Sequence, residues 1–375
     1  MDVGASARGA LTGRKRTVAV RVVVSLVAGA CLVAIFLRLI NVGAVWRHLG
    51  HLSIGYALLS AVVFFAAYFA RGLRWRCLMA PSRISVPRAI AVYQVGIFLN
   101  WLLPIRGGEV AMCLLLRRSD GVPVSRSFAA VSIDKAMDLL PVVALLVALP
   151  LAPFQLSAPL WALLLSALSC VGLGATTLGL MIWRPERFTG LVVRAVSAVL
   201  PKSARARVEC FVVPFVDRLR ALVRQPRLLL TALAYTTAAV GIDALFCLVA
   251  FRAVGVDIAF PVALYGYTFF NFAFILPSPP GQVGSNELIG LLIFSGSFGI
   301  SRSGVAAMFL FSHPLTGLLM TCAGLGCLSW MGLSIRSALR VAGQQSQVAP
   351  QAALQHPGSD GAASRLHHAK EFEEA

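Results

Sequence analysis

Charged residues are scarce in this chain, and acidic residues are the scarcer kind. Only 13% of the 375 residues are charged while 58% are hydrophobic, whereas about a quarter of the residues in an ordinary soluble domain are charged. Such a chain has too little polar surface to cover its apolar residues, which excludes a soluble globular domain. Several apolar runs reach about 20 residues, the length at which a helix crosses the hydrocarbon core of a bilayer. The sequence therefore predicts an all-α polytopic membrane protein.

Sequence patterns that support covalent chemistry are also missing. The eight cysteines include no Cys-x-x-Cys pair, and most of them lie inside apolar runs, where cysteine behaves as a small hydrophobic residue. No nucleophile motif, metal-ligand spacing or glycine-rich phosphate loop stands in a convincing setting. We therefore expect no disulfide framework, no metal site, no cofactor and no enzymatic activity.

The excess of basic residues is explained by membrane topology. There are 33 Lys and Arg residues against 15 Asp and Glu residues, which gives a formal net charge of +18. These cations flank the apolar runs, as the positive-inside rule expects of cytoplasmic loops, and they would attract the anionic cytoplasmic leaflet. Since no recognition motif accompanies the charge, we expect no nucleic-acid partner. The pattern predicts a multi-pass protein of the plasma or inner membrane with both termini in the cytoplasm.

The apolar runs predict about six spanning helices. The predicted spans are Thr17–Ile40, Ser53–Phe69, Ser125–Leu149, Pro159–Trp183, Leu228–Phe251 and a last one from Ser301 to just before Arg336. A loop with Arg47, His48 and His51 is expected after the first span. Arg71, Arg74 and Arg76 follow the second span and are interpreted as charges at the membrane interface, with contact to a lipid phosphate as the alternative.

The basic and polar segments divide the chain into parts. Residues 1–16 form a basic cytoplasmic N-terminus, residues 17–340 the membrane domain, and residues 341–375 a polar tail that is predicted to be disordered. Within the membrane domain, residues 184–227 are amphipathic and rich in arginine. We predict that this segment lies along the cytoplasmic surface of the bilayer.

Two shorter apolar stretches are each closed by a turn that contains proline, glycines and one glutamate. The first turn contains Pro104, Arg106, Gly107, Gly108 and Glu109, and the second contains Pro277, Gly281, Gly284 and Glu287. The return stretch after each turn is about ten residues, or about 15 Å of helix, which is too short to span. We therefore predict two re-entrant hairpins, since irregular backbone at membrane depth requires cover by protein or a water-filled cavity. A Ser-Arg-Ser segment follows each hairpin, so the two halves are predicted to form an inverted repeat.

Ionisable residues inside the predicted spans are the candidate substrate-binding residues, because buried charge in a membrane is costly and is usually functional. They are Asp134, Lys135 and Asp138 in the third span, Asp243 in the fifth and His313 in the last. Arg106 and Glu109 of the first turn and Glu287 of the second turn complete the candidate set. Asp134 is expected to pair with Arg106 or another cation. Two purely structural roles stay open as alternatives. Lys135 and Asp138 would form an ion pair within their helix, and His313 would bind a carbonyl group freed by the neighbouring Pro314.

The turn motifs carry a resemblance to a known family. The runs Asn100-Trp-Leu-Leu-Pro-Ile-Arg-Gly-Gly-Glu109, Asp134-Lys-Ala-Met-Asp-Leu-Leu140, Arg71-Gly-Leu-Arg-Trp-Arg76 and Leu276–Glu287 resemble the lysylphosphatidylglycerol synthase transmembrane region family, over roughly residues 20–335. The resemblance implies a flippase-like membrane module for lipids or lipid-linked molecules. The synthase carries a large soluble domain where this chain has a short polar tail, so we expect no synthesis of lysylphosphatidylglycerol. Asp134-Lys135 departs from the commoner Glu-Arg, and the second turn is longer and richer in proline.

These residues suggest a mechanism without covalent chemistry. The two turns and the charged faces of the third and last spans would enclose a polar cavity, and Arg106 and Lys135 would attract an anionic lipid headgroup. The expected partners are membrane lipids, including anionic or polyprenyl-linked ones. Two alternatives stay open. The first is an ion-coupled transporter of a small solute with Asp134, Glu109 and Glu287 as titrating groups. The second is a membrane protein that docks a lipid-processing enzyme through residues 184–227.

Overall fold

The computed structural model describes residues 24–80, 82, 84–102, 107–151, 157–199, 202–273 and 279–334, and within these ranges the chain is helical with no strand. The helices in chain order are α1 (Val24–Leu39), α2 (Val42–Gly50), α3 (Ile54–Leu78), α4 (Val86–Leu102), α5 (Gly108–Asp120), α6 (Val124–Ala148), α7 (Ala158–Trp183), α8 (Pro185–Val199), α9 (Lys202–Val223), α10 (Pro226–Ala253), α11 (Phe260–Ala273), α12 (Ser285–Gly290) and α13 (Arg302–Trp330). A π-helical turn, Leu291–Ser295, continues α12.

Long apolar helices confirm the predicted class, an all-α polytopic integral membrane protein. In the described residues, α3, α7, α10 and α13 are long and apolar enough to cross a bilayer. The pair α1 and α2, bent by 88°, provides a fifth crossing if it is one broken span. Helix α6 has 25 residues, or about 37 Å at 1.5 Å per residue. It is long enough to cross a bilayer, but Asp134, Lys135 and Asp138 make it less apolar than these helices. The total of six spans stays a prediction.

Two sequence-based boundaries were wrong. The residues after the first span form helix α2, where a loop was predicted; the Asn41 side chain accepts a hydrogen bond from the backbone of Ala44 and caps this helix. Helix α3 continues to Leu78, well beyond the predicted end at Phe69, so that both Arg71 and Arg74 belong to this helix. Arg74 is buried, and Arg71 is partly buried with an 18% exposed side chain. The helix can continue because both guanidinium groups find carboxylate partners on neighbouring helices.

Both predicted hairpins are present as antiparallel helix pairs. Helices α4 and α5 form the first, and their backbones touch where Gly96 and Gly108 face each other. Helices α11 and α12 form the second, whose turn requires glycine because Gly281 and Gly284 have φ angles of +64° and +81°. Pro104, Arg106 and Pro277 lie outside the described residues. That the hairpins are re-entrant stays a prediction.

Each hairpin packs against a long helix from the other half of the predicted repeat. Helix α4 of the first hairpin packs on α13, and α11 of the second hairpin packs on α6, while α3 and α10 pack along each other at the centre. Each hairpin thus rests on the last long helix of the other half. An inverted repeat would produce this arrangement, and the repeat itself stays a prediction.

The arginine-rich segment forms α8 and α9, and α9 does not lie free on a surface. Its apolar face, which includes the buried Val216 and Leu222, packs against α6. Phe211 and Phe215 contact the ring of Phe128 on α6, with ring centroids 5.9 and 5.8 Å away. Burial of this face attaches the segment to the bundle. The position of α8 and α9 relative to the membrane surface stays a prediction, and residues 1–16 and 341–375 lie outside the described residues.

Candidate transport site

A polar cavity of about 410 Å³ lies among the hairpins and the central helices. Helices α3, α4, α5, α6, α10, α11 and α13 and the second turn all contribute to its wall. Its polar lining consists of Tyr68, Arg71, Arg74, Tyr93, Asn100, Glu109, Lys135, Asp138, Thr236, Asp243, Tyr267, Thr268, Asn271, Gln282, Asn286, His313 and Thr316. Polar side chains therefore converge inside a bundle whose outer surface is apolar.

Arg74 is the centre of the first ion network. Its Nε donates to Asp134 Oδ1 over 2.7 Å, and its Nη2 donates to Asp138 Oδ1 over 2.7 Å. The third nitrogen, Nη1, donates to Thr236 Oγ1 on α10 over 3.1 Å. Arg74 is only 1% exposed, so its charge is stabilised by these partners and not by water. The cation that pairs with Asp134 is therefore Arg74.

Lys135 joins this network to the first turn. Its Nζ lies 3.5 Å from Glu109 Oε1 and 3.6 Å from Asp138 Oδ2, and the lysine side chain is 44% exposed. Glu109 also accepts a hydrogen bond from Asn100 Nδ2 over 2.8 Å, and the Asn100 Oδ1 accepts from the backbone of Gly108 over 2.7 Å. Asn100 therefore fixes the start of α5 and the position of Glu109 together.

Arg71 forms the second ion pair across the central helices. Its guanidinium donates to both carboxylate oxygens of Asp243 on α10, the bidentate geometry that arginine favours. Asn271 of α11 donates to Asp243 Oδ2 over 3.3 Å. The Arg71 guanidinium also lies 5.6 Å from the centroid of the Tyr68 ring. This pair therefore connects α3, α10 and the second hairpin.

His313 connects α13 to the second turn. Its Nδ1 lies 2.6 Å from Glu287 Oε1, and its Nε2 lies 2.7 Å from the carbonyl oxygen of Gly281. Glu287 Oε2 in turn accepts from the backbone N–H of Gly284 over 2.8 Å. The carbonyl that His313 binds thus belongs to the turn, and not to its own helix beside Pro314.

The structure brings most of the predicted residues together. Glu109, Lys135, Asp138, Asp243 and His313 line the cavity, whereas Asp134 and Glu287 lie one contact behind it, on Arg74 and His313. The Lys135–Asp138 ion pair is present. Arg71 and Arg74 were predicted as interface charges, and their pairing with aspartates inside the bundle was not predicted. Their spacing of three residues places both on one face of the helix. Gly107, Gly108, Gly281 and Gly284 lie in or beside the two turns.

The charges that line the cavity compensate one another. Among the described residues, Arg71, Arg74 and Lys135 each contact at least one carboxylate. Lys135 therefore has carboxylate partners, one of which is the Asp138 that the sequence left open as its ion-pair partner. Within these residues, no group of three His, Cys, Asp or Glu side chains is arranged to hold a metal ion.

Long apolar helices, two helix hairpins and a partly open cavity lined by polar side chains define a polytopic membrane protein. The chain belongs to the family described as lysylphosphatidylglycerol synthase TM region, which matches residues 18–324. Glycosyltransferase AglD from Haloferax volcanii is 24% identical over 353 residues, which cover 84% of this chain and 56% of that protein. The chain thus spans little more than half the length of this relative. No solved structure shows significant similarity.

Proposed function

We propose that the protein moves a lipid or a lipid-linked molecule between the two leaflets of a membrane. The observation that carries this proposal is the polar cavity of about 410 Å³ that both hairpins line within an apolar bundle. A headgroup crosses a bilayer slowly because its polar groups lose their hydration in hydrocarbon. Fixed hydrogen-bonding groups along the cavity would replace that hydration, while the acyl chains stay in the bilayer.

The comparisons support a lipid-related role in the membrane. The family is defined by a transmembrane region, and AglD is named as a glycosyltransferase. We propose that this chain itself catalyses no covalent step, since the described cavity is lined by paired charges and amides. We also propose a location in the plasma or inner membrane, with both termini in the cytoplasm and lipids, anionic or polyprenyl-linked, as partners. A lipid-processing enzyme docked at α8 and α9 stays a further prediction.

Flipping by the purified protein in liposomes tests this function. We expect headgroup-labelled lipid to cross with wild-type protein, and Lys135→Gln to slow it at least about tenfold, because a charge-assisted hydrogen bond contributes about 1.5–3 kcal/mol. Arg88→Gln is the matched control, since Arg88 pairs with Asp120 over 3.5 Å and does not line the cavity. Unchanged flipping in Lys135→Gln would remove the site assignment. Absence of flipping for every lipid tested would remove the function.

Ion-coupled transport of a small solute is the second candidate. It is favoured by the contact between His313 and Glu287, which places an acid–base pair at the cavity. Uptake of a solute that follows an imposed pH gradient, without movement of any labelled lipid, would favour this candidate over the first.

A further inference from the structure

The bonds of His313 require a proton between its ring and Glu287. The carbonyl oxygen of Gly281 can only accept a hydrogen bond, so the Nε2 that contacts it carries a hydrogen. The other nitrogen, Nδ1, lies 2.6 Å from Glu287 Oε1. Two lone pairs repel at that distance, so one hydrogen must lie between these atoms, either on an imidazolium or on a protonated glutamate. The contact thus exists only while this proton is bound.

We propose that His313 and Glu287 form a proton-binding site, and that the bound proton latches the second turn onto α13. His313 belongs to a long helix, whereas Gly281 and Glu287 belong to the turn and to the six-residue helix that follows it. Both ring nitrogens of His313 therefore bind the same short segment. The proton completes the link between Nδ1 and the carboxylate, and its loss removes that half of the latch.

The latched turn stands between two different compartments. Its Gln282 and Asn286 line the polar cavity. Its Pro279, Pro280 and Val283 line an apolar groove against α1, which also has a volume of about 410 Å³. The turn packs closely on α1, since a Cβ added to Gly284 would come 2.7 Å from Leu32 Cβ. Release of the turn would therefore join a polar space to an apolar one.

The charged groups that line the polar cavity are paired with one another. The charged groups that face the same cavity are Arg71, Arg74, Glu109, Lys135, Asp138 and Asp243, and the phenols are Tyr68, Tyr93 and Tyr267. On the two N-terminal helices, α1 contributes Cys31 and Arg38, and α2, which packs on α13, contributes Arg47 and His48. His48 binds the carbonyl oxygen of Val254 over 3.0 Å. In the described residues each charged group of the cavity is paired, so none is free to replace the missing proton at Glu287.

The direction of the pH dependence follows from the number of protons bound when the turn is latched and when it is released. The latched turn holds one proton more than the released turn, so a rise in pH favours release. For a one-proton process, the equilibrium constant for opening rises by up to about tenfold per pH unit while the proton is being lost. The proton site itself does not depend on the proposed function. A role for its release in lipid movement rests on that function.

Hydrogen–deuterium exchange of the full chain in lipid nanodiscs tests the latch without any transport assay. The reporter is the peptide that contains Gly284, whose N–H is bound to Glu287 Oε2. Exchange is followed from about pH 5.5 to about pH 9, a range that brackets the usual histidine pKa of about 6.5, and is corrected for the intrinsic pH dependence of amide exchange. We expect wild-type protection to fall as the pH rises.

Two variants separate the proton from the packing. In Glu287→Gln, the amide can donate to a neutral Nδ1 while its oxygen still accepts from Gly284, so all three bonds persist without a dissociable proton. We expect high protection at every pH in this variant, low protection at every pH in His313→Ala, and a wild-type response in His48→Gln. A pH-independent wild type, or a wild-type response in Glu287→Gln, would overturn the proposal. If the wild type shows the expected pH response of hydrogen–deuterium exchange but flips no lipid, only the proposed function would be contradicted.

Discussion

Replacement of Arg74 by methionine should remove most of the folded protein. Arg74 is 1% exposed and holds two carboxylates, Asp134 and Asp138, each at 2.7 Å. Methionine fills much of the same volume, so the loss is mainly one of charge compensation. Removal of one partner from a buried ion network typically costs about 3–5 kcal/mol, because the remaining charge stays buried and unpaired. We expect a strongly reduced monodisperse fraction on size-exclusion chromatography and a lower unfolding midpoint in detergent.

A charge-neutral combination distinguishes this explanation from simple loss of packing. The triple variant Arg74→Met, Asp134→Asn, Asp138→Asn leaves no unpaired carboxylate at this position. We expect it to recover a large part of the folded fraction, since joint removal of buried charges that pair with one another is often nearly neutral, and Lys135 keeps Glu109 as its partner. Arg88→Met is the surface control, because an exposed ion pair contributes about 0–1 kcal/mol. If the triple variant is as unstable as Arg74→Met, the shape of the arginine and not its charge is what the fold requires.

The membrane class and the two hairpins could be predicted because they depend on local pattern. Runs of apolar residues set the helices, and a turn with proline and glycine must interrupt any helix that contains it. The glycines at positions 281 and 284 show the limit of this reasoning. Their positive φ angles could be predicted from residue type. The contacts of the turn with α1 and α13 could not, because they depend on tertiary packing.

The charged site was only half predictable for a related reason. Aspartates inside an apolar run are conspicuous, whereas Arg71 and Arg74 stand at the end of a run, where arginine usually marks the membrane interface. Sequence alone does not distinguish an arginine that contacts headgroups from one that pairs with an aspartate 60 residues later in the chain. The same limit applies to Lys135. Its pairing with Asp138 could be read from the helical spacing, whereas its second carboxylate partner, Glu109, lies on another helix.

Substitution of Gly108 by alanine should prevent the first hairpin from closing. A Cβ at this position would overlap the carbonyl group of Gly96 on α4 and would lie 2.8 Å from Asn100 Cγ. The first obstacle is backbone, which cannot move without separating the two helices. Ordinary overpacking of a core costs about 1–3 kcal/mol, and we expect a larger loss of stability here. Displacement of Asn100 would also remove its bond to Glu109, so one methyl group should disrupt both the hairpin and the site.

Two other glycines provide matched controls for Gly108→Ala. Gly96→Ala, on the opposite side of the same contact, would meet the flexible side chain of Met112 first, so we expect an intermediate loss. Gly241 of α10 has no atom within 4 Å of its added Cβ, and alanine there should be neutral or raise helix stability by about 0.5–1 kcal/mol. Unfolding midpoints should therefore fall in the order Gly241→Ala, Gly96→Ala, Gly108→Ala. A midpoint for Gly108→Ala as high as that of Gly241→Ala would mean that α4 and α5 separate at little cost, which would contradict the prediction.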